Sequence, residues 1–427
     1  MPAAKELKPL FQLMNTSKRY KIKFIKAKEI LDSRKKPTVE VKISTNFGVF
    51  LASVPSGASR GESEAIELRD IDGRGVKCAV KNIEKIIAPK LKDEIIDSQE
   101  IIDEILTNLD GTKNKSKLGA NAILPVSIAV CRAGAESQKL PLYKYISQIY
   151  GIDSVKISSP CFNIINGGKH AKSGLSIQEF MVVPEADSYH EKLEMGKKVY
   201  KVLGLILEKK YGKKNIATGD EGGFVPPIKK IKEALDFLME AIKEAGFEGR
   251  VKIILDAASS FFYSAGKYSP EGIILGKNEL LDFYIDLVRK YPIIAIEDPF
   301  SQEDWEGWAM LNCKLQIANC KLLIIGDDLT STNPERIKLA KEKEACDAII
   351  VKPNQIGTVT ETIEAAKLAK SYGWKLVVSH RSGETIDDFI ADLAVGLGAD
   401  FIKSGAPVPK ERMVKYKRLL KIEKELK

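Results

Sequence analysis

Acidic and basic side chains follow a series of short apolar segments in the second half of the chain. The segments are VKIILDAASS, PIIAIEDPF, KLLIIGDDLT, DAIIVKPNQ, KLVVSHRSG and DFIKSGAP. The polar residues at their ends are, in order, Asp256, Glu297, Asp327, Lys352, His380 with Arg381, and Lys403. Three carboxylates that converge without a cation would repel one another and raise their own pKa values. Because oxygen ligands suit a hard divalent ion, the pattern predicts a magnesium or manganese site.

The two lysines at segment ends are candidates for a base. Lys352 follows AIIV and Lys403 follows DFI, so both are expected to be buried. A buried lysine beside other cations has a lowered pKa and can accept a proton near neutrality. Each residue taken singly has a simpler explanation: a lysine can balance carboxylates, and an aspartate after a strand can cap a helix.

Further polar residues lie in short glycine- or serine-containing loops. SHRSGET (379–385) offers a guanidinium, Arg381, whose fork binds phosphate or carboxylate, whereas His380 either binds substrate or only satisfies its neighbours. GDEGGF (219–224) places Glu221 in a tight turn, where it could do acid–base work or simply form the turn. SGASRGE (56–62) resembles a mobile flap with Ser59 at its tip. His170 lies in a loop with two glycines, and His190 is predicted to be a solvated helix residue.

The elements that must position these residues fall into two patterns. In the first, TVEVKIST alternates like a strand, NFG offers a turn before VFLASV, and residues 116–136 have helical spacing, which predicts an α+β region. In the second, apolar strands alternate with helices, as in a parallel sheet covered on both faces. A closed α/β barrel brings its strand ends to one face, whereas an open doubly wound sheet would spread them along an edge. We therefore predict an α/β protein with a basic N-terminal arm (1–20), a small α+β N-terminal domain (21–148) and a TIM-like (β/α)8 barrel (149–427).

Composition limits the class of protein. The 427 residues are 44% hydrophobic and 29% charged, with a net charge of +9. No apolar run approaches the ~18 residues of a membrane span, and the six scattered cysteines form no C-x-x-C pair. These features predict a cytoplasmic protein with reduced thiols and no membrane partner. Because lysines are spread beside glutamates, as in KKIKEALDFLMEAIKEAG, the charge indicates solvated helices and a small anionic substrate more than nucleic acid.

Together these stretches resemble the enolase family. The matching segments are ILDSR, PTVEV, VPSGAS, LGANAILPVSIAVC, FNIINGGKHA, QEFM, GDEGGF, LDAASS, IEDPF, GDDLTSTNP, KPNQIGT, SHRSGET, IADLAVG and IKSGAP. Only the first ~20 residues fall outside. The resemblance implies a magnesium-dependent lyase of glycolysis and gluconeogenesis that interconverts 2-phosphoglycerate and phosphoenolpyruvate, usually as a homodimer or homo-octamer. It also implies a barrel whose first strands depart from simple alternation.

The resemblance implies metal ligands and proton-transfer groups. Asp256, Glu297 and Asp327 would hold the first of two magnesium ions, and Ser59 would reach the second when the flap closes. Lys352 would remove the proton next to the substrate carboxylate. A lysine base with one or two magnesium ions is a known pattern of the enolase superfamily.

The remaining implied roles concern substrate charge. Lys403 would stabilise the charge that develops on the carboxylate, and Glu221, assisted by Glu179, would protonate the leaving hydroxide. The phosphate would be bound by Arg381 and Ser382, and the pocket would be lined by His170, Gln178 and His380.

The chain departs from the family pattern in three loops. SRGNP reads SRKKP with Lys35 and Lys36, the residue after SGAS is Arg60, and HAGN reads HAKS with Lys172 and Ser173. These changes add positive charge near the pocket and remove no proposed catalytic group. Two alternatives follow: a paralogue with weak or no activity that serves as a binding protein, and an acid-sugar enzyme of the same superfamily. The second would usually carry a Lys-x-Lys pair early in the barrel, where this chain has IQEF and GDEGG.

Overall fold

The computed structural model describes residues 20–58, 61–96, 98–152, 155–171, 174–317 and 321–427. The predicted arm up to residue 19, the flap residues Ser59 and Arg60, and the substituted pair Lys172 and Ser173 lie outside these residues. In the described part of the chain, no helix combines the length and apolar character needed to cross a membrane.

The N-terminal part is an antiparallel three-stranded sheet packed on helices. Its strands are β1 (Ile22–Leu31), β2 (Pro37–Thr45) and β3 (Val49–Ser53), in the order β1-β2-β3. Alternate residues of β2, Val39, Val41 and Ile43, are fully buried, as expected for a sheet with one covered face. The helices are α1 (Lys77–Asn82), α2 (Ala88–Leu91), α3 (Gln99–Asp110), α4 (Ala120–Ser137) and α5 (Leu142–Tyr150). The small-residue helix α4 packs against β2 and β3, so the predicted α+β region is confirmed.

Eight strands then close into a barrel. They are β4 (Ser159–Asn166), β5 (Glu179–Pro184), β8 (Val251–Asp256), β11 (Ile293–Glu297), β12 (Leu323–Gly326), β13 (Ala348–Val351), β14 (Lys375–Ser379) and β15 (Phe401–Lys403). The short hairpins between them are β6 (Ala217–Thr218) with β7 (Phe224–Val225), and β9 (Tyr263–Ser264) with β10 (Lys267–Tyr268). Pairing of β15 with β4 completes the closure. The predicted barrel is therefore confirmed.

Helices surround the barrel. They are α6 (Tyr189–Tyr211), α7 (Ile231–Glu244), α8 (Lys277–Lys290), α9 (Trp305–Ile317), α10 (Pro334–Glu342), α11 (Pro353–Ile356), α12 (Val359–Ser371), α13 (Phe389–Gly396) and α14 (Lys410–Leu426). His190 lies in the first turn of α6 and is exposed, as predicted.

One strand runs against the others. β5 pairs antiparallel with both β4 and β8, whereas the remaining barrel neighbours are parallel. The first residue of β5, Glu179, therefore lies in register with Asp256, the last residue of β8. The reversal brings a strand start to the face where the parallel strands end.

The interior of the barrel is a separate apolar cluster. It is formed by Cys161, Met181, Val183, Ile254, Ala295, Ile325, Ala348, Ile350 and Val377. Because side chains alternate along a strand, the residue two positions beyond each of these faces the same way. Asp256, Glu297, Asp327 and Lys352 stand two positions beyond Ile254, Ala295, Ile325 and Ile350, so the barrel register directs them over the interior.

An ion pair joins the N-terminal part to the barrel. Arg132 on α4 donates to both carboxylate oxygens of Asp387, with a distance of 2.7 Å in each case. Asp387 also accepts a hydrogen bond from the Ser53 backbone N–H at 3.0 Å. Burial would raise the pKa of Asp387, but the Arg132 guanidinium outweighs it and lowers that pKa.

We expect Arg132→Met to lower the free energy of unfolding by about 3 kcal/mol, because it leaves a buried carboxylate without its partner. Since the pKa of Asp387 is lowered in the folded protein, the pair stabilises the fold above about pH 3.9, the value for an unfolded aspartate. The stabilisation is lost as the pH falls further, and Arg132→Met should reduce that acid-dependent loss. Urea unfolding at pH 7 and an acid titration measure both effects.

The control is Arg289→Met, which changes an exposed arginine on α8. Equal stability of the two variants would contradict the proposed role of the ion pair in docking the domains.

Candidate active site

A cavity opens where the parallel strands end. It is lined by almost all of the predicted site residues: His170, Gln178, Glu179, Glu221, Asp256, Asp327, Lys352, His380, Arg381, Ser382 and Lys403. Glu297 lies just behind this lining, against Lys403, and Ser59 is outside the described residues. The predicted residues therefore converge on one cavity.

Lys403 is the centre of a buried acidic cluster. Its Nζ lies 2.8 Å from both oxygens of Glu297, 3.4 Å from Glu179 and 3.6 Å from Asp256. The side chain is only 3% exposed. Burial works to lower the pKa of this lysine, but the carboxylates outweigh it and hold that pKa well above its usual value. Lys403 is therefore a fixed positive charge.

Lys352 forms a direct ion pair with Asp327, whose other oxygen accepts a 3.0 Å hydrogen bond from Gln355. We expected a lowered pKa for Lys352, and this expectation is wrong for the arrangement observed. Burial lowers the pKa and the cations Arg381 and Lys403 also lower it, but the Asp327 carboxylate outweighs them and the net shift is upward. A further cation beside Asp327 would weaken this effect and favour a lower pKa for Lys352.

The adjacent aspartates after β12 are held by a third one. Asp298 accepts hydrogen bonds from the backbone N–H groups of Asp327 and Asp328, at 3.0 and 2.8 Å. Asp298 has a positive φ of 45°, a conformation that non-glycine residues seldom adopt. Burial and the charges of Asp328 and Asp327 raise its pKa well above the usual value. Asp298, which has a strained backbone and a buried side chain, thus fixes the turn that presents Asp327 to the cavity.

Two glutamates, Glu179 beside Lys403 and Glu221 beside His170, line another part of the cavity. Asn163 donates to Glu221 at 2.9 Å, and His170 Nδ1 lies 3.5 Å from Glu179 and 3.6 Å from Glu221. Burial and the charge of Glu221 raise the pKa of Glu179 well above its usual value. Burial would also raise the pKa of Glu221, but His380 and His170 outweigh it and lower that pKa. Of the two carboxyls, Glu179 therefore binds a proton more readily than Glu221.

Arg381 and Ser382 lie at the rim next to the flap. The guanidinium of Arg381 is paired with Glu64 at 2.8 Å and contacts Asn354 at 3.2 Å. The hydroxyl of Ser382 accepts from the Ala58 backbone N–H at 2.7 Å and from Arg34 at 3.2 Å. The loop predicted to bind phosphate is therefore tied to the segments on both sides of Ser59.

The side chains at this site fit a hard divalent cation. Gln178 donates to Asp256 at 3.2 Å and leaves its own buried Oε1 without a hydrogen-bond partner. In the part of the chain that the structure describes, two sets of three side chains bring one ligand atom each within 4.8 Å of the others: His170 with Glu179 and Glu221, and Asp298 with Asp327 and Asp328. Asp327 belongs to the second set, whereas Asp256 and Glu297 lie against Lys403. Several buried carboxylate oxygens close together are the kind of ligand that a hard divalent cation prefers.

Sequence reasoning missed the residues that hold the site together. They are Glu64, Asn163, Asp298, Gln355 and Arg412. Asp298 stood next to the predicted ligand Glu297 in IEDPF, but nothing in that segment distinguishes a ligand from a backbone acceptor. Glu64 and Arg412 act over long sequence separations, so no local pattern indicated them.

The substituted loop residues Lys35 and Lys36 lie apart from the cavity. They line a surface groove with Arg34, Glu67 and Arg69. Arg34 connects this groove to the site through its contact with Ser382.

The comparisons with known proteins agree with this geometry. Residues 22–146 match the family model "Enolase, N-terminal domain", and residues 154–427 match "Enolase, C-terminal TIM barrel domain". Enolase B of Dictyostelium discoideum is 49% identical over 423 residues, which is 95% of this chain and 95% of that protein. Enolase 1 of Entamoeba histolytica is 46% identical over 423 residues, covering 95% of this chain and 96% of that protein.

We expect Gly383→Ala to destabilise the rim of the site. Gly383 pairs with Ser56 through backbone hydrogen bonds of 2.8 and 2.9 Å, and an added Cβ would lie 2.6 Å from Arg34 and overlap Asp32. Overpacking of this kind costs about 1–3 kcal/mol. Thermal unfolding should show a lower melting temperature. The control is Gly48→Ala, where the added Cβ meets only the Phe50 ring at 3.4 Å. A Gly383→Ala protein as stable as this control would contradict the close approach.

Proposed function

Because the chain belongs to the enolase family of metal-dependent hydro-lyases, we propose that it catalyses the reversible dehydration of 2-phospho-D-glycerate to phosphoenolpyruvate in glycolysis and gluconeogenesis. The observation that carries the proposal is that one cavity brings together Lys352 beside Asp327, Lys403 among carboxylates, and Glu221 close to His170 and Glu179. This arrangement can remove a proton on one side of a small anion and supply one on the other.

Proton removal is assigned to Lys352. A proton next to a carboxylate is very weakly acidic, so the barrier lies in the negative charge that develops there. Preorganised positive charge at that point is usually the largest catalytic contribution. Lys403 can supply this positive charge, because the surrounding carboxylates raise its pKa and keep it protonated although it is buried. Lys352 in turn needs the charge of Asp327 to be shared before it can accept the proton.

The metal is proposed to be magnesium, with two ions for each site. Asp256, Glu297 and Asp327 would hold the first and Ser59 would contribute to the second. A bound divalent ion would supply further positive charge next to the substrate carboxylate and would share the charge of Asp327.

The leaving hydroxide is assigned to the glutamate pair. Glu221 would protonate the hydroxide with the assistance of Glu179. The raised pKa of Glu179 supports a role for it as the source of that proton. Binding of the substrate phosphate is assigned to Arg381 and Ser382. Because Arg381 is paired with Glu64, it must give up part of that contact when the phosphate binds. His170, Gln178 and His380 would then line the rest of the pocket.

We further propose a cytoplasmic homodimer or homo-octamer that binds no nucleic acid. Self-association is supported by the outer face of the N-terminal sheet, where Phe24, Val49 and Leu51 are 45%, 52% and 50% exposed. The pairing register places these three side chains on the same face. Cytoplasmic location and a domain boundary near residue 148 stay predictions.

We expect the protein to convert 2-phosphoglycerate to a product with the ultraviolet absorbance of an enol phosphate. A chelator should abolish the signal, because the acidic ligands then lack their ion, and excess magnesium should restore it. A folded protein that gives no chelator-sensitive absorbance would contradict the proposal and would favour a binding protein.

The base assignment predicts that Lys352→Ala still folds, with lower stability because Asp327 loses its partner, and loses about 10²–10⁴-fold in kcat, the usual contribution of a positioned acid–base group. The control is Lys338→Ala, which changes an exposed lysine on α10. Steady-state kinetics and circular dichroism measure activity and folding. Retained turnover in Lys352→Ala would remove this lysine as the base.

A further inference from the structure

We propose that Arg412 is a positioning residue that fixes the tautomer of His380, so that the imidazole keeps its proton on Nε2 and directs it at Glu221. The inference rests on the proposed function for its catalytic consequence, but not for the tautomer itself. Neither the family pattern quoted above nor the sequence motifs assigned a role to Arg412.

Arg412 lies in the first turns of α14 and has no exposed surface. Its guanidinium donates to three backbone carbonyl groups: Arg381 at 2.7 Å, Ser382 at 2.6 Å and Asp220 at 3.0 Å. It also contacts Nδ1 of His380. One side chain thus joins the loop predicted to bind phosphate to the turn that carries Glu221.

The contact with His380 decides the tautomer. An arginine has only hydrogen-bond donors and stays charged in proteins, so the imidazole Nδ1 opposite it must be the acceptor. His380 is 1% exposed, and burial lowers its pKa to about 3, so the ring is neutral at physiological pH. A neutral ring with an accepting Nδ1 carries its proton on Nε2.

The Nε2 atom faces the glutamate assigned to proton delivery. It lies 3.3 Å from Glu221 Oε2, and within the described residues this buried atom forms no hydrogen bond, so its donor is available to that carboxylate. In the opposite tautomer, a lone pair would face the carboxylate and repel it. In the neutral ring, the Nε2–H is a donor directed at Glu221. Arg412 therefore orients a donor onto Glu221 without touching the cavity.

The charged groups around His380 belong to several elements. Glu221 approaches from the turn between β6 and β7, Arg412 from α14 and Lys403 from the end of β15. The two cations oppose protonation of the ring, and the carboxylate favours it. The guanidinium contributes both its charge and its direct contact with Nδ1, whereas Lys403 contributes only charge.

The test is nitrogen-15 NMR of the imidazole rings in histidine-labelled protein. The chain has three histidines, so His170→Gln and His190→Gln spectra assign the signals of His380. We expect a protonated Nε2 and an unprotonated Nδ1 at pH 7. A proton on Nδ1, or a ring protonated on both nitrogens, would overturn the inference, and this result needs no variant at position 412.

The variants connect the tautomer to turnover. Arg412→Met should give a His380 ring of mixed tautomers and lower kcat about 10- to 100-fold, the scale of a small misplacement of catalytic groups. KM should also rise, because Arg412 holds the carbonyl groups of Arg381 and Ser382, so the tautomer of His380 is the readout that a merely structural role would not move. Arg412→Lys retains a donor and should keep Nε2 protonated. This second variant tests the idea if the first does not fold.

The matched control is Arg418→Met on the same helix, where the arginine pairs with Asp392 and contacts neither loop. It should leave both the tautomer and kcat unchanged. An Arg412→Met protein with the wild-type tautomer and a wild-type kcat would overturn the proposal. If the wild-type protein shows the Nε2 tautomer but no turnover of 2-phosphoglycerate, the proposed function fails while the role of Arg412 in fixing His380 stands.

Discussion

The balance of buried charge at the open end of the barrel governs the rest of the structure. Lys403, with Glu297, Asp256 and Glu179 around it, is almost completely removed from water. A buried ion that loses its partner costs several kcal/mol, so none of these groups is independent of the others. Lys352 and Asp327 form a second such pair beside the first. The site is therefore a set of mutually dependent charges in which each cation has its carboxylate.

Strand direction is what makes this balance possible. If all eight strands were parallel, the start of β5 would lie at the opposite end of the barrel from the end of β8. Because β5 is reversed, Glu179 instead pairs in register with Asp256. The reversal adds an acid to the cluster around Lys403 and brings it near Glu221. A departure from the regular barrel pattern thus brings Glu179 into the site.

The sequence was sufficient where local pattern and geometry agree. Apolar strands that end in Asp256, Glu297 and Asp327 predict a barrel whose polar ends converge, and the register places these side chains over the interior. The sequence was insufficient where contacts are remote. Nothing near Lys352 in the chain shows that Asp327 will outweigh burial and raise its pKa, and nothing near Glu221 indicates a guanidinium from α14. These effects depend on which elements pack against each other, and only the folded structure shows that packing.

The central claim is that Lys352 and the glutamate pair act on opposite faces of the same substrate, and exchange of the substrate α-proton with solvent tests it most directly. Proton NMR in deuterium oxide would follow 2-phosphoglycerate with the Glu221→Gln and Lys352→Ala proteins. The account predicts that Glu221→Gln still exchanges the α-proton while failing to eliminate hydroxide, and that Lys352→Ala does neither. Exchange that persists without Lys352, or that disappears with Glu221, would contradict it.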